Sequence, residues 1–139
     1  MTRTLAEITA AHGFEVLEHL EAEAQIPVLG GLQAQGDLFV IPRQAAGRHA
    51  ADRTREIPAA GIPVIEAIGG GHEHRLFAGK PGTAWWTPAS RNGQDIGTLE
   101  CAEPAYLLHP EHGATGIAPG AYTLRRQREQ ADEERLVAD

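Results

Sequence analysis

The stretch Gly36-Asp37-Leu38-Phe39-Val40-Ile41-Pro42 decides the fold. Four consecutive large apolar residues, two of them β-branched, sit between a glycine turn and a proline, which is the mark of a short buried strand. A second run, Ile62 to Ile68, repeats the pattern between Gly61 and Gly69-Gly70-Gly71. Further outward, His72 to Ala78 alternates in polarity, and Leu99, Tyr106-Leu107-Leu108 and Ala121 to Leu124 offer more strand positions. Sixteen Gly and nine Pro in 139 residues punctuate the chain too often for a helical bundle. Short strands joined by close turns predict a mainly β domain, a small antiparallel barrel or two-sheet sandwich, rather than alternating βα units.

The ends read differently. Thr4-Leu5-Ala6-Glu7 has capping-box spacing, so a helix is expected from Leu5. Gly13 interrupts it, and Phe14, Leu17 and Leu20 resume an i, i+3 rhythm, with a strand over Phe14 to Leu17 as the alternative. The expected organisation is an N-terminal helical extension over 1–31, a β domain over 32–126, and a charged C-terminal helix or tail over 127–139. Within the β domain, Arg43 to Glu56 reads as a surface loop or marginal helix. Residues 79–97 read as an inserted polar loop whose Trp85-Trp86 pair is a candidate partner-binding platform.

Nineteen acids against twelve bases give a net charge of −7, which disfavours bulk nucleic-acid binding. The longest apolar runs fall far short of a bilayer span, and no basic segment followed by an apolar stretch opens the chain. No membrane association is expected. The single cysteine, Cys101, cannot form an internal disulfide, which fits a cytoplasmic protein. It reads as a small buried hydrophobe rather than as a nucleophile served by His109. Only 29 residues are Leu, Ile, Val or Phe, so the core is thin. Burial between subunits would offset chain entropy, and a homo-oligomer or a subunit of a larger assembly is expected.

Chemistry concentrates in histidine. Four of seven fall into two pairs, Gly71-His72-Glu73-His74 and His109-Pro110-Glu111-His112-Gly113. Residues i and i+2 of a strand share a face, so His72 and His74 can present two imidazoles together. Pro110 presets a turn that draws His109 towards His112. Imidazole is a ligand for Zn, Fe, Ni and Cu, whereas Ca and Mg prefer oxygen. A divalent transition metal held by His72, His74, His109 and His112 is therefore the expected cofactor. Histidines bonded to backbone carbonyls, or seated in a protein interface, are the competing account. Glu73 and Glu111 neighbour the pairs, but neither stands out as a general base.

Five blocks in succession carry a resemblance: Gln35-Gly36-Asp37, Gly71-His72-Glu73-His74, His109-Pro110-Glu111-His112-Gly113, Pro119-Gly120-Ala121-Tyr122 and Gln127-Arg128-Glu129. The chain from about Gln33 onward resembles a family of small uncharacterised proteins of bacteria and their phages. Its pattern reads approximately Q-G-D, G-H-x-H, H-x-E-H-G, P-x-G-x-Y and Q-R-E. Gln130 stands where that pattern usually continues with Tyr, and 79–97 and the N-terminal helix look like additions to it. The arrangement is also similar in spirit to cupins, β-barrels with an H-x-H pair and a later histidine, although their usual order and spacings are not met.

Two function classes follow. One is a small cytoplasmic metal-binding β-barrel protein, its reaction and any enzymatic activity left open. The other is a non-catalytic structural or assembly subunit, of a phage particle or a bacterial complex, in which the histidines brace loops.

Overall fold

The computed structural model of the chain describes residues 2–16, 22–44, 54–65, 73–89 and 95–126. In chain order the elements are β1 (Arg3–Thr4), α1 (Leu5–His12), β2 (Gln25–Ile26), β3 (Val28–Leu29), β4 (Gln33–Gln35), β5 (Leu38–Arg43) and β6 (Arg55–Glu56). They continue with β7 (Ile62–Ile65), β8 (His74–Ala78), β9 (Ala84–Pro88), β10 (Asp95–Cys101), β11 (Ala105–His109), β12 (Gly113–Ile117) and β13 (Gly120–Arg126). The protein is mainly β, and α1 is the one helix among the described residues.

The strands form a six-stranded sheet in the order β4-β5-β13-β10-β9-β6, a five-stranded sheet in the order β3-β12-β11-β8-β7, and a β1-β2 ribbon. Both large sheets keep open edges, so the described strands do not close into a barrel. The pairing is antiparallel except between β12 and β3, which makes the five-stranded sheet mixed.

Alternation explains the core. Leu38 and Val40 of β5, Leu99 and Cys101 of β10, and Tyr122 and Leu124 of β13 turn inward from the larger sheet. They share one apolar cluster with Leu76 of β8, Leu107 of β11 and Ile117 of β12 from the smaller sheet. Every residue of β11 is buried, because its other face is covered too. There Tyr106 and Leu108 join Phe77, Ile26 and the α1 residues Leu5 and Ile8 in a second cluster. Burying two such aliphatic side chains contributes roughly 3–6 kcal/mol towards docking the helix, before ordering costs.

The helix follows its capping signals. Thr4 Oγ1 accepts from the Glu7 amide at 3.1 Å, and Glu7 Oε1 accepts from the Thr4 amide at 2.8 Å. Gly13, at φ 62°, takes the left-handed conformation that ends it. The stretch expected to be helical over 1–31 is otherwise different: its described residues hold one two-turn helix and three short strands, one of which extends the five-stranded sheet. Val28 and Leu29 have the β preference and the sheet edge to do this. Phe14 to Val16 form no regular element, and the continuation through Leu17 and Leu20 lies outside the described residues.

Two further corrections concern the β domain. Pro42 does not stop its strand, since β5 continues to Arg43. By that point β4 no longer flanks it, so a residue without an N–H costs no ladder bond on that side. Within 79–97, expected as an inserted loop, Ala84–Pro88 is strand β9, which pairs with β10 and β6 and is an internal strand of the larger sheet. Its alternation turns Ala84 and Trp86 inward, and Gly97 on β10 lies against the Trp86 ring with no room for a side chain. Only part of Arg43 to Glu56 is described, and its end, Arg55–Glu56, is strand β6. Ile68, the three glycines, His72 and the tail 127–139 lie outside the described residues.

Candidate metal centre

The register of β11 against β8 pairs Leu108 with Arg75 and Leu107 with Leu76, so its next step sets His109 beside His74. Both are on the inward face, in step with Leu76 and Leu107. The Pro110 turn then returns the chain, and His112 folds back over the same spot. Ring centroids of His74 and His109 are 4.4 Å apart, those of His109 and His112 are 4.5 Å, and those of His74 and His112 are 6.2 Å. Members of two pairs separated by 35 residues therefore meet in space. His74 and His109 are both 4 % exposed.

The opposite sheet supplies the rest. The β4-β5 hairpin turns at Gln35-Gly36-Asp37, with Gly36 at φ 61°. A Cβ on Gly36 would stand 2.9 Å from His112 Nε2 and 3.5 Å from His74 Cε1, so glycine serves both the turn and the approach of the rings. Buried Gln35 reaches across the seam. Its Nε2 donates to the Leu107 carbonyl at 2.8 Å and to Thr115 Oγ1 at 3.0 Å, which fixes Oε1 as an acceptor. His74 Nδ1 donates to that oxygen at 2.9 Å. The proton of neutral His74 is thus on Nδ1, and its lone pair is on Nε2.

Nε2 of His74 faces Asp37 Oδ1 at 3.7 Å, while Arg126 Nε donates to Asp37 Oδ2 at 3.3 Å. Burial, and then the neighbouring His109, push the His74 pKa down to about 4, against a smaller raising pull from Asp37. His109 has the reverse polarity. Its Nδ1 accepts from the backbone amides of Glu111 and His112 at 3.0 and 3.3 Å, so its neutral ring carries the proton on Nε2.

A histidine whose second ring nitrogen donates to a carbonyl is the usual outer arrangement of a metal ligand, and His74 has it. His109 instead turns its Nδ1 to cap the 110–112 turn. Among the described residues, no three His, Cys, Asp or Glu side chains converge closely enough to hold one ion as they stand. Imidazole nitrogens with a nearby carboxylate are nonetheless the donor types that Zn and Fe take.

The other singled-out residues fall elsewhere. Glu73 pairs with Arg75 at 3.1 Å. Trp86 is in the core, which removes its ring from any outer platform, and Trp85 is half-buried on the outer face of β9. Cys101 is buried, its thiol is 3.5 Å from the Ala118 carbonyl oxygen, and burial raises its pKa to about 11, as befits a core residue. Tyr122 donates its hydroxyl to the Ala118 carbonyl at 2.6 Å, bracing the turn into β13. Residues missed by the sequence reading are Gln35, Asp37 and Arg126. The first two stood within the Q-G-D block, where a buried amide and a turn carboxylate beside a histidine cluster were the available signal.

Among the described residues no helix is long and apolar enough to cross a membrane. No curated protein and no solved structure matches the chain. One family does, over residues 34–127, a span that takes in the hairpin turn, the core strands β5 to β13 and the three clustered histidines. The chain belongs to the family described as Domain of unknown function (DUF8820).

Proposed function

We propose that this DUF8820 protein binds a divalent transition-metal ion between its two sheets, with His74 as the anchoring ligand and His112 as the second. The carrying observation is the Gln35–His74 hydrogen bond, which leaves the His74 Nε2 lone pair facing Asp37, with the His109 and His112 rings packed alongside. His109 and His72 are the further candidate ligands. His109 joins the shell through Nδ1 by leaving its two turn amides, or through Nε2 by moving its ring proton to Nδ1 at the cost of the same two hydrogen bonds. We read the two facing sheets as a sandwich, and the ion as a clamp that ties the 36–37 turn to the 110–112 turn. The cupin-like reading draws support from the placement of histidines on strands at one end of the sheets.

Mass-spectrometric metal analysis of purified protein, beside a His74→Ala/His112→Ala variant, tests this. The proposal expects near-stoichiometric Zn, Fe, Ni or Cu that disappears in the variant. Metal-free protein that takes up none of these ions on dialysis would overturn it.

The capping of His109 Nδ1 by two amides favours a second reading, in which the histidines only brace the turn of an assembly subunit. The edges at β3, β4, β6 and β7, which pair with no further strand among the described residues, are then the surfaces for self-association. Light scattering that returns a multiple of 14.9 kDa for metal-free protein supports that reading.

A further inference from the structure

We infer that Asp37 is a carboxylate ligand of this centre and that Arg126 holds it in position. The inference rests on the metal-binding reading above and adds a residue, a donor type and an ion class to it. Gln35 accepts the Nδ1–H hydrogen bond of His74, so the nitrogen that faces Asp37 Oδ1 at 3.7 Å presents a lone pair to a carboxylate oxygen. Two acceptors facing each other at that distance frame a position that a cation can fill. An ion about 2.1 Å from each atom bridges that separation at an angle of about 120°, which tetrahedral and five-coordinate shells accommodate.

The remaining geometry prepares the carboxylate. Asp37 follows Gly36 in a turn whose left-handed glycine brings the backbone against the His112 and His74 rings. Arg126, paired in register with Leu38 at the end of β13, engages Oδ2 and leaves Oδ1 turned towards His74. Arg126 belongs to the same sheet as Asp37, so the pair holds the turn in place without reaching across the seam. One oxygen donor among imidazoles favours a borderline divalent ion such as Zn(II) or Fe(II) over Cu(I), which prefers softer ligands.

Cobalt(II) titration followed by visible absorption, with zinc(II) calorimetry alongside, compares the full-length protein with Asp37→Asn, Asp37→Glu and Arg126→Gln. Circular dichroism establishes that each variant is folded. The expected result is a loss of affinity of about tenfold or more in Asp37→Asn, a shifted cobalt spectrum in Asp37→Glu, and a smaller loss in Arg126→Gln, whose carboxylate ligand is kept but no longer held. Wild-type affinity in Asp37→Asn, with an unchanged spectrum in Asp37→Glu, overturns the ligand role and leaves the histidine centre standing. An equal loss in Arg126→Gln and Asp37→Asn reduces Asp37 to half of a structural ion pair, which also overturns it. A wild-type protein that binds neither ion defeats the histidine reading itself, and this inference with it.

Discussion

Gln35 and His74 lie on opposite sheets and are joined by a 2.9 Å hydrogen bond in which the imidazole Nδ1 donates to the amide oxygen. The same amide nitrogen serves Leu107 and Thr115, so one side chain fastens β4 to three strands of the other sheet. Replacing it with Ala strands a carbonyl, a hydroxyl and a ring N–H together. Gln35→Ala is expected to cost roughly 3 kcal/mol in urea unfolding, because each buried polar group left unpaired costs about 1–3 kcal/mol. Gln35→Glu keeps an acceptor for His74 but sets a carboxylate against the Leu107 carbonyl, and should also destabilise.

His74 gives the fold a pH dependence whose sign is fixed. Its folded pKa, about 4, lies below the unfolded value of 6.5, so between these values the unfolded chain binds a proton that the folded chain refuses. Stability from this group is fully present above pH 6.5, falls as the pH drops towards 4, and levels off below. The loss is at most about 3 kcal/mol. Thermal melts in the presence of a chelator across pH 4 to 7 should show the decline, and a His74→Gln variant should flatten it.

Trp85 and Trp86 are adjacent in sequence but unlike in energy. Trp86 fills the core between the sheets, so Trp86→Ala should cost about 3–5 kcal/mol, whereas Trp85→Ala, on the outer face, should cost about 1 kcal/mol. Chemical denaturation of the two variants distinguishes them. Equal costs would contradict the inward register of β9.

The Cys101 thiol should be inert in the native protein. With its pKa raised to about 11 and its side chain buried, a thiol-selective disulfide reagent at pH 8 should label it only after unfolding. Rapid labelling of folded protein would place it outside the core.

The sequence made the β class legible because Leu38 to Ile41 and Tyr106 to Leu108 carry strand preference and burial together, and the Thr4/Glu7 box marked the helix start to the residue. Residues 79–97 misled because Trp85, Trp86 and Thr87 sit among Gly, Pro and polar neighbours, and local composition does not register that β10 gives the segment a partner. Val28 and Leu29 form too short a run to announce a strand, and only pairing with β12 makes them one. The histidine pairs were visible, but their meeting depends on the β8–β11 register, a long-range fact. Gln35 was hidden for the same reason: an amide on a three-residue strand gains meaning only when the other sheet closes over it.

The central claim is that His74 offers its Nε2 lone pair to a metal ion while its Nδ1–H stays hydrogen-bonded to Gln35. Long-range proton–nitrogen correlation spectra of the histidine rings, recorded before and after one equivalent of zinc(II), read both nitrogens directly. The account predicts a protonated Nδ1 and bare Nε2 for His74 in the metal-free protein, followed by a metal-bound shift of Nε2 in His74 and His112 with Nδ1 of His74 unchanged. A His74 ring that carries its proton on Nε2, or that does not move on adding zinc, would contradict it.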